Sequence, residues 1–185
     1  IVKHKYPCGV ASGVNIKMAY KKALQSDPVS AFGGILLFNK KIDNNLAKII
    51  NHRFFEVVVA PKFDKKTLDI FRSKKRLIII DSIDLKNNKE QSFKSVHSGT
   101  LFQEDNNYKI KKSMVKLVTT KIVSKKTLDD LVFAFKVAKH VKSNAIVLAS
   151  NKQTLGIGAG QMSRLDSTRM AIIKYKDFFN KKEFV

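Results

Sequence analysis

The strongest constraint on the fold is the apolar run from Phe54 to Ala60, which stops at Pro61. It is too short for a typical helix and rich in Phe and Val. It therefore predicts a strand buried on both faces. The flanking stretches carry a different period. Ile16, Ala19, Tyr20, Ala23 and Leu24 fall on one helix face, and Ser26-Asp27-Pro28 ends that helix because proline disfavours the helical state in the residue before it. Leu46, Ala47, Ile49 and Ile50 suggest a second helix, and Asp64 to Ser73 a third. Ile35 to Phe38 reads as a strand, and Leu77 to Ile80 as another strand of the buried kind. This β-α-β-α-β alternation predicts an α/β fold with a mostly parallel or mixed sheet covered by helices.

Further along, Asp84 to Lys89 reads as a polar loop, and Thr100 to Phe102 and Val115 to Val123 read as strands. Ser124 offers an N-cap to a helix that would set Leu128, Leu131, Val132, Phe135 and Ala138 on one face. Ser143 to Ala149 reads as a strand, Gly156 to Gly160 as a glycine-rich turn, and Ser163 to about Phe179 as a last helix. The opening Ile1 to His4 looks like the start of a buried strand, and the end at Val185 lacks a helix stop. The expectation is a chain cut at both ends, with a first lobe over 1–110 and the start of a second over 111–185.

Charge admits two classes of partner. The 185 residues carry a formal charge of +21. Lys and Arg that neutralise phosphates give nucleic-acid binding. Yet only five of the 36 basic residues are Arg, and the lysines are scattered in ones and twos. No basic-aromatic alternation for stacking bases is present. A solvated lysine surface is the preferred reading, and a basic nucleic-acid-binding module the competing one. No apolar stretch is long enough for a membrane span. The single Cys8 cannot form an internal disulfide, and a reducing cytoplasm is the simplest setting. Cys8 has no partner cysteine and the four histidines show no metal-ligand spacing, so no zinc site is expected.

Four segments could carry chemistry. Lys3-His4 precedes a turn at Pro7-Cys8-Gly9. Such a pair is either an exposed strand end or a general base beside a cation. In Asp27-Pro28-Val29-Ser30-Ala31-Phe32-Gly33-Gly34, paired glycines let backbone amides approach a ligand and Phe32 could stack on a flat ring. An ordinary helix-to-strand turn explains the same residues. Lys142-Ser143-Asn144 opens a strand, and Asn144 offers a donor and an acceptor suited to an amide or a heterocycle edge. Gly156-Ile157-Gly158-Ala159-Gly160-Gln161 lacks the last glycine of the dinucleotide fingerprint. Helix-terminal amides beside Arg164, holding an anion, are the better reading there.

Together, in this order, these segments resemble the AICAR transformylase/IMP cyclohydrolase family of bifunctional purine-biosynthesis enzymes. The likeness covers nearly the whole chain. It implies cytidine-deaminase-like lobes without zinc, 10-formyltetrahydrofolate as co-substrate, room for a structural monovalent cation, and a homodimer or a complementing chain. It implies that Lys3 and His4 lie at the formyl-transfer site and that Asn144 orients the substrate carboxamide. By the same likeness Phe32 and Gly33 contact the nucleotide, Glu56 the ribose, and Arg164 lies close by. Val29 and Leu165 grip the folate. The resemblance carries no metal ligand over. His52 stands where the family usually has Arg, and Asp166-Ser167-Thr168 differs from common versions. By this resemblance the cyclohydrolase domain and the rest of the transformylase domain are expected to lie outside these 185 residues. The chain alone is expected to lack cyclohydrolase activity and to show little or no formyl transfer. An inactive remnant or split-gene subunit is the competing expectation within this family.

Overall fold

The computed structural model describes residues 1–84, 91–104 and 106–179. Its main sheet is built from β1 (Val2–Lys3), β2 (Tyr6–Pro7), β3 (Gly34–Leu37), β4 (Phe55–Ala60) and β5 (Ile78–Asp81), in the order β2-β1-β3-β4-β5. β1 runs antiparallel to β2 and β3, while β3, β4 and β5 are parallel. Helices α1 (Ile16–Ser26), α2 (Asn44–Asn51) and α3 (Lys65–Arg72) connect the strands. Their limits have local causes. The Asn15 side chain caps α1 by accepting from the Met18 amide at 2.8 Å, and Asp43 caps α2 by accepting from Leu46 at 2.7 Å.

The core lies between this sheet and its helices. Leu36, Val58 and Ala60 meet Leu46, Ile50 and Phe71, all nearly inaccessible. Burying each of the larger side chains contributes roughly 1.5–3 kcal/mol. The strand from Phe54 forms as expected, but neither face is wholly buried: Glu56 is exposed, and Val57 and Val59 are half-buried. Leu37, Ile78 and Ile80 are exposed on the sheet. β5 is therefore a sheet edge with open side chains, not the doubly buried strand its composition suggested.

Tyr20 packs its ring against Phe38 and Phe55, with centroids 6.5 and 6.4 Å apart. Its hydroxyl is buried with no hydrogen-bond partner among the described residues. Burial pushes its pKa up. Tyr20→Phe removes an unsatisfied polar atom and keeps the ring. It is expected to be neutral or to stabilise by about 1 kcal/mol in urea unfolding. A loss larger than that would mean the hydroxyl is paired.

The second half departs more from expectation. A hairpin, β6 (Gln91–Val96) with β7 (Gly99–Glu104), is exposed along both strands. Most of the polar loop expected over Asp84 to Lys89 lies outside the described residues. Val115 to Val123 forms no strand; a short 3-10 turn at Lys112–Met114 leads into irregular chain, with Val118 and Ile122 both 85% exposed. Helix α4 (Lys125–Ala138) starts at the Ser124 cap as predicted. Its buried residues are Val132 and Val137, while Leu131 and Phe135 stay exposed. The true inner face runs through Phe133, Val137 and Val141 onto Val147 and Ile157.

β8 (Ile146–Ser150) and β9 (Gln153–Gly158) form an antiparallel hairpin that supports α5 (Arg164–Phe178). Asn151 and Lys152 make its left-handed turn, and the Asp130 carboxylate accepts from both of their amides at 2.9 and 2.7 Å. Residues 156–158 are therefore strand, not the turn expected from their glycines. The hairpin joins the amino-terminal segment through a bridge between Ala11 and Gln153 and reciprocal bonds between Val10 and Thr154.

Candidate functional site

The expected site residues fall into two groups. The first forms where the β1–β2 hairpin meets the turn after α1. The Lys3 ammonium donates to the carbonyls of Phe32 at 2.7 Å and Gly33 at 3.2 Å. Gly33 has φ +63°, a backbone region open to glycine at little cost. A Cβ there would lie 3.2 Å from Lys3 Nζ and 3.3 Å from the Phe54 ring. Glu56 Oε1 is 3.6 Å from the same point, so Lys3, Gly33 and Glu56 converge. The exposed Phe32 ring tilts over Phe54 with centroids 5.2 Å apart. Val29 is exposed on the same turn.

His4 follows Lys3 at the tip of the hairpin and is exposed. Its φ of +56° is a left-handed conformation that costs a non-glycine residue about 1–2 kcal/mol. Strain of this kind collects at functional sites.

The turn is held from beneath by Asp27, which is 2% exposed. Its carboxylate accepts from the Ser30 amide at 2.8 Å and the Ser30 hydroxyl at 2.7 Å, and it pairs with Lys174 of α5. Neither Asp27 nor Lys174 was singled out as functional from the sequence. Asp27 lay in a noted motif, but Lys174 is one lysine among many. Cys8 lies close by, and burial pushes its thiol pKa up, which suits packing better than nucleophilic attack.

The second group surrounds Asn144. Its side-chain NH2 donates to the carbonyls of Gln161 at 2.9 Å and Met162 at 2.8 Å. Two facing carbonyls fix the orientation of that amide. Oδ1 has no partner among the described residues and remains available as an acceptor. The Ser167 hydroxyl donates to the Asn144 carbonyl at 2.8 Å. Arg164 and Leu165 begin α5, both exposed.

The anion reading of that helix start weakens. The Ser163 hydroxyl accepts from the Asp166 amide at 3.0 Å and donates to the Asp166 carboxylate at 2.6 Å. That hydroxyl, helped by Arg169, holds the Asp166 carboxyl below its usual range. The helix terminus thus already carries a negative group. The glycines beside it serve packing: a Cβ at Gly156 or Gly158 would strike the α5 backbone.

A cavity of about 620 Å3 lies elsewhere, between the Gly9–Asn15 segment, α1 and the end of β3. Neither His4 nor Asn144 lines it, so it does not join the two groups. Among the described residues no helix is long and apolar enough to cross a membrane, and no three His, Cys, Asp or Glu cluster to hold a metal.

A mixed sheet bearing the Lys-His hairpin and the Phe-Gly turn, followed by a separate β8–β9 hairpin that the chain enters through Asn144, defines a family. The chain belongs to the AICARFT/IMPCHase bienzyme family, whose model matches residues 1–174. It is 47% identical over 172 residues to the bifunctional purine biosynthesis protein PurH of Caldicellulosiruptor bescii, covering 92% of this chain and 33% of that protein. It is 44% identical over 184 residues to the PurH protein of Fusobacterium nucleatum, covering 100% of this chain and 36% of that one. The PurH protein of Aquifex aeolicus is 44% identical over 178 residues, 96% of this chain and 34% of its own length. The chain thus spans about a third of the length of these curated relatives.

Proposed function

We propose that this chain supplies part of a formyl-transfer site in purine biosynthesis, where 10-formyltetrahydrofolate gives its formyl group to AICAR. The observation that carries the reading is the bond pair from Lys3 to the carbonyls of Phe32 and Gly33. It packs the Lys-His hairpin against a turn whose glycine leaves room for Lys3 beside Phe54 and Glu56.

The chemistry asked of these residues is coherent. The amine of AICAR is a weak nucleophile, because its lone pair is delocalised toward the carboxamide. His4 takes a proton as that amine attacks the formyl carbon. Lys3 keeps a positive charge near the reacting carbonyl and stabilises the oxyanion or protonates the departing folate nitrogen. Asn144 acts through Oδ1, accepting from the carboxamide N–H, since its own NH2 is engaged by Gln161 and Met162. Gly33 and Phe32 meet the nucleotide, Glu56 the ribose hydroxyls, and Arg164 the nucleotide. Val29 and Leu165 offer apolar contact to the folate. The site is completed by a second copy or by the chain that the relatives carry beyond this segment, in the cytoplasm and without zinc.

A binding role for a partner chain is favoured by one observation, the hairpin β6–β7 with Phe93 and Phe102 both exposed. The two readings separate in an assay. This segment is placed in the Fusobacterium nucleatum relative in exchange for its matching third. The chimera is expected to transfer formyl groups to AICAR, and Lys3→Met to lower kcat at least tenfold. The isolated 185-residue chain is expected to show no turnover. An inactive chimera, or full activity of Lys3→Met, would refute the assignment.

A further inference from the structure

We propose that α5 is the positioning element for both halves of this site, acting through Ser167 and Lys174. The inference rests on the formyl-transfer reading for its catalytic consequence, but its structural claim stands separately. Ser167, Ala171 and Lys174 are spaced i, i+4 and i+7, so they share one face of α5. Ser167 and Ala171 are fully buried. Lys174 is 28% exposed and its Asp27 partner 2%. From this single face, the Ser167 hydroxyl holds the Asn144 carbonyl at 2.8 Å, and the Lys174 ammonium holds Asp27. Asp27 in turn fixes Ser30 by two bonds, and the turn it closes carries Phe32 and Gly33. One rigid helix therefore sets the place of the amide that meets the carboxamide and of the turn that meets the nucleotide.

The helix itself has little freedom. Its backbone lies so close to Gly156 and Gly158 of β9 that no side chain fits between. A shift of α5 would have to move the hairpin with it. This is what a positioning element needs, since small misplacements of a binding group cost large factors in rate. Ser167 and Lys174 are positioning residues and touch no substrate in this account.

The test reads amide hydrogen exchange in the chain and kinetics in the chimera. In Lys174→Met, the amides of Ser30, Ala31 and Gly33 are expected to exchange at least tenfold faster. Those of α2 and α3 should keep their protection. Lys174→Arg, which preserves the ion pair, should restore the exchange pattern. If Lys174→Met unfolds the chain globally, all amides accelerate together, and Lys174→Gln is read in its place. In the chimera the same variant should raise the KM for AICAR at least tenfold, and the KM for 10-formyltetrahydrofolate should rise with it, because Val29 lies on the same turn. Ser167→Ala should instead lower kcat, through Asn144. Unchanged exchange at Ser30 and Gly33 in the Met or Gln variant would overturn the positioning role, whatever the activity. Faster exchange with an unchanged KM for AICAR would overturn its link to the site. A wild-type chimera without turnover would sink the formyl-transfer reading, and the exchange data would still decide the role of α5.

Discussion

Gly158→Ala is expected to cost about 3 kcal/mol or more, a large share of the total stability of a domain. A Cβ at residue 158 would sit 1.8 Å from the Ser167 carbonyl oxygen and 2.6 Å from its carbon. At Gly156 the corresponding approach is 2.0 Å to the Ala171 oxygen. These are backbone atoms of a helix and cannot swing aside as the end of a side chain could. Relief requires α5 to lift off β9, which would uncover Ala171 and Leu155. Gly99 gives the control, because a Cβ there meets nothing within 4 Å. Gly99→Ala should change stability by less than about 0.5 kcal/mol. Urea unfolding of the two variants beside wild type decides the matter. A Gly158→Ala protein within about 1 kcal/mol of wild type would show that α5 does not press on the strand as described.

The same pair of glycines shows where a sequence reading runs out. Glycine marks either a turn or a close approach, and only the position of α5 in space tells which. Isolated from that helix, Gly156 to Gly160 read as a turn; in the fold most of it is the end of a buried strand. Val115 to Val123 failed for a related reason. Its β-branched residues favour a strand, but a strand needs a neighbour to satisfy its ladder, and none of the described strands lies beside it. Of the face expected for α4, Val132 is buried, but Leu131 and Phe135 are exposed, although they are as apolar as the inward Phe133 and Val137. Composition cannot say which side of the helix meets β8. The first half was legible because its signals agreed: the one-faced apolar spacing of α1, the Asp27-Pro28 stop, and the Phe-Val run in β4. For the candidate site, the order of motifs pointed to Lys3, Gly33 and Asn144. It gave no hint that Lys174 would reach back to Asp27, since a contact spanning most of the chain has no local signature.

His4→Gly is expected to separate stability from activity at the same residue. The hairpin tip demands φ near +56°, which glycine adopts without the steric cost a histidine bears. Glycine also brings a more flexible unfolded chain, which offsets part of that relief. The net expectation is a gain on the order of 0.5 kcal/mol in the chain. In the chimera the same change removes the imidazole proposed as the base, and formyl transfer should fall by roughly 10²–10⁴-fold. His4→Ala supplies the contrast. Its Cβ keeps the steric cost of a left-handed residue, so stability should stay close to wild type while activity falls as far. A residue that shaped the turn and nothing more would behave in the opposite way, with glycine fully active and alanine no worse than histidine. Turnover of His4→Gly within threefold of wild type would therefore take the base role away from His4. It would leave Lys3, fixed on the carbonyls of Phe32 and Gly33, as the only titratable group of the hairpin still assigned to the reaction.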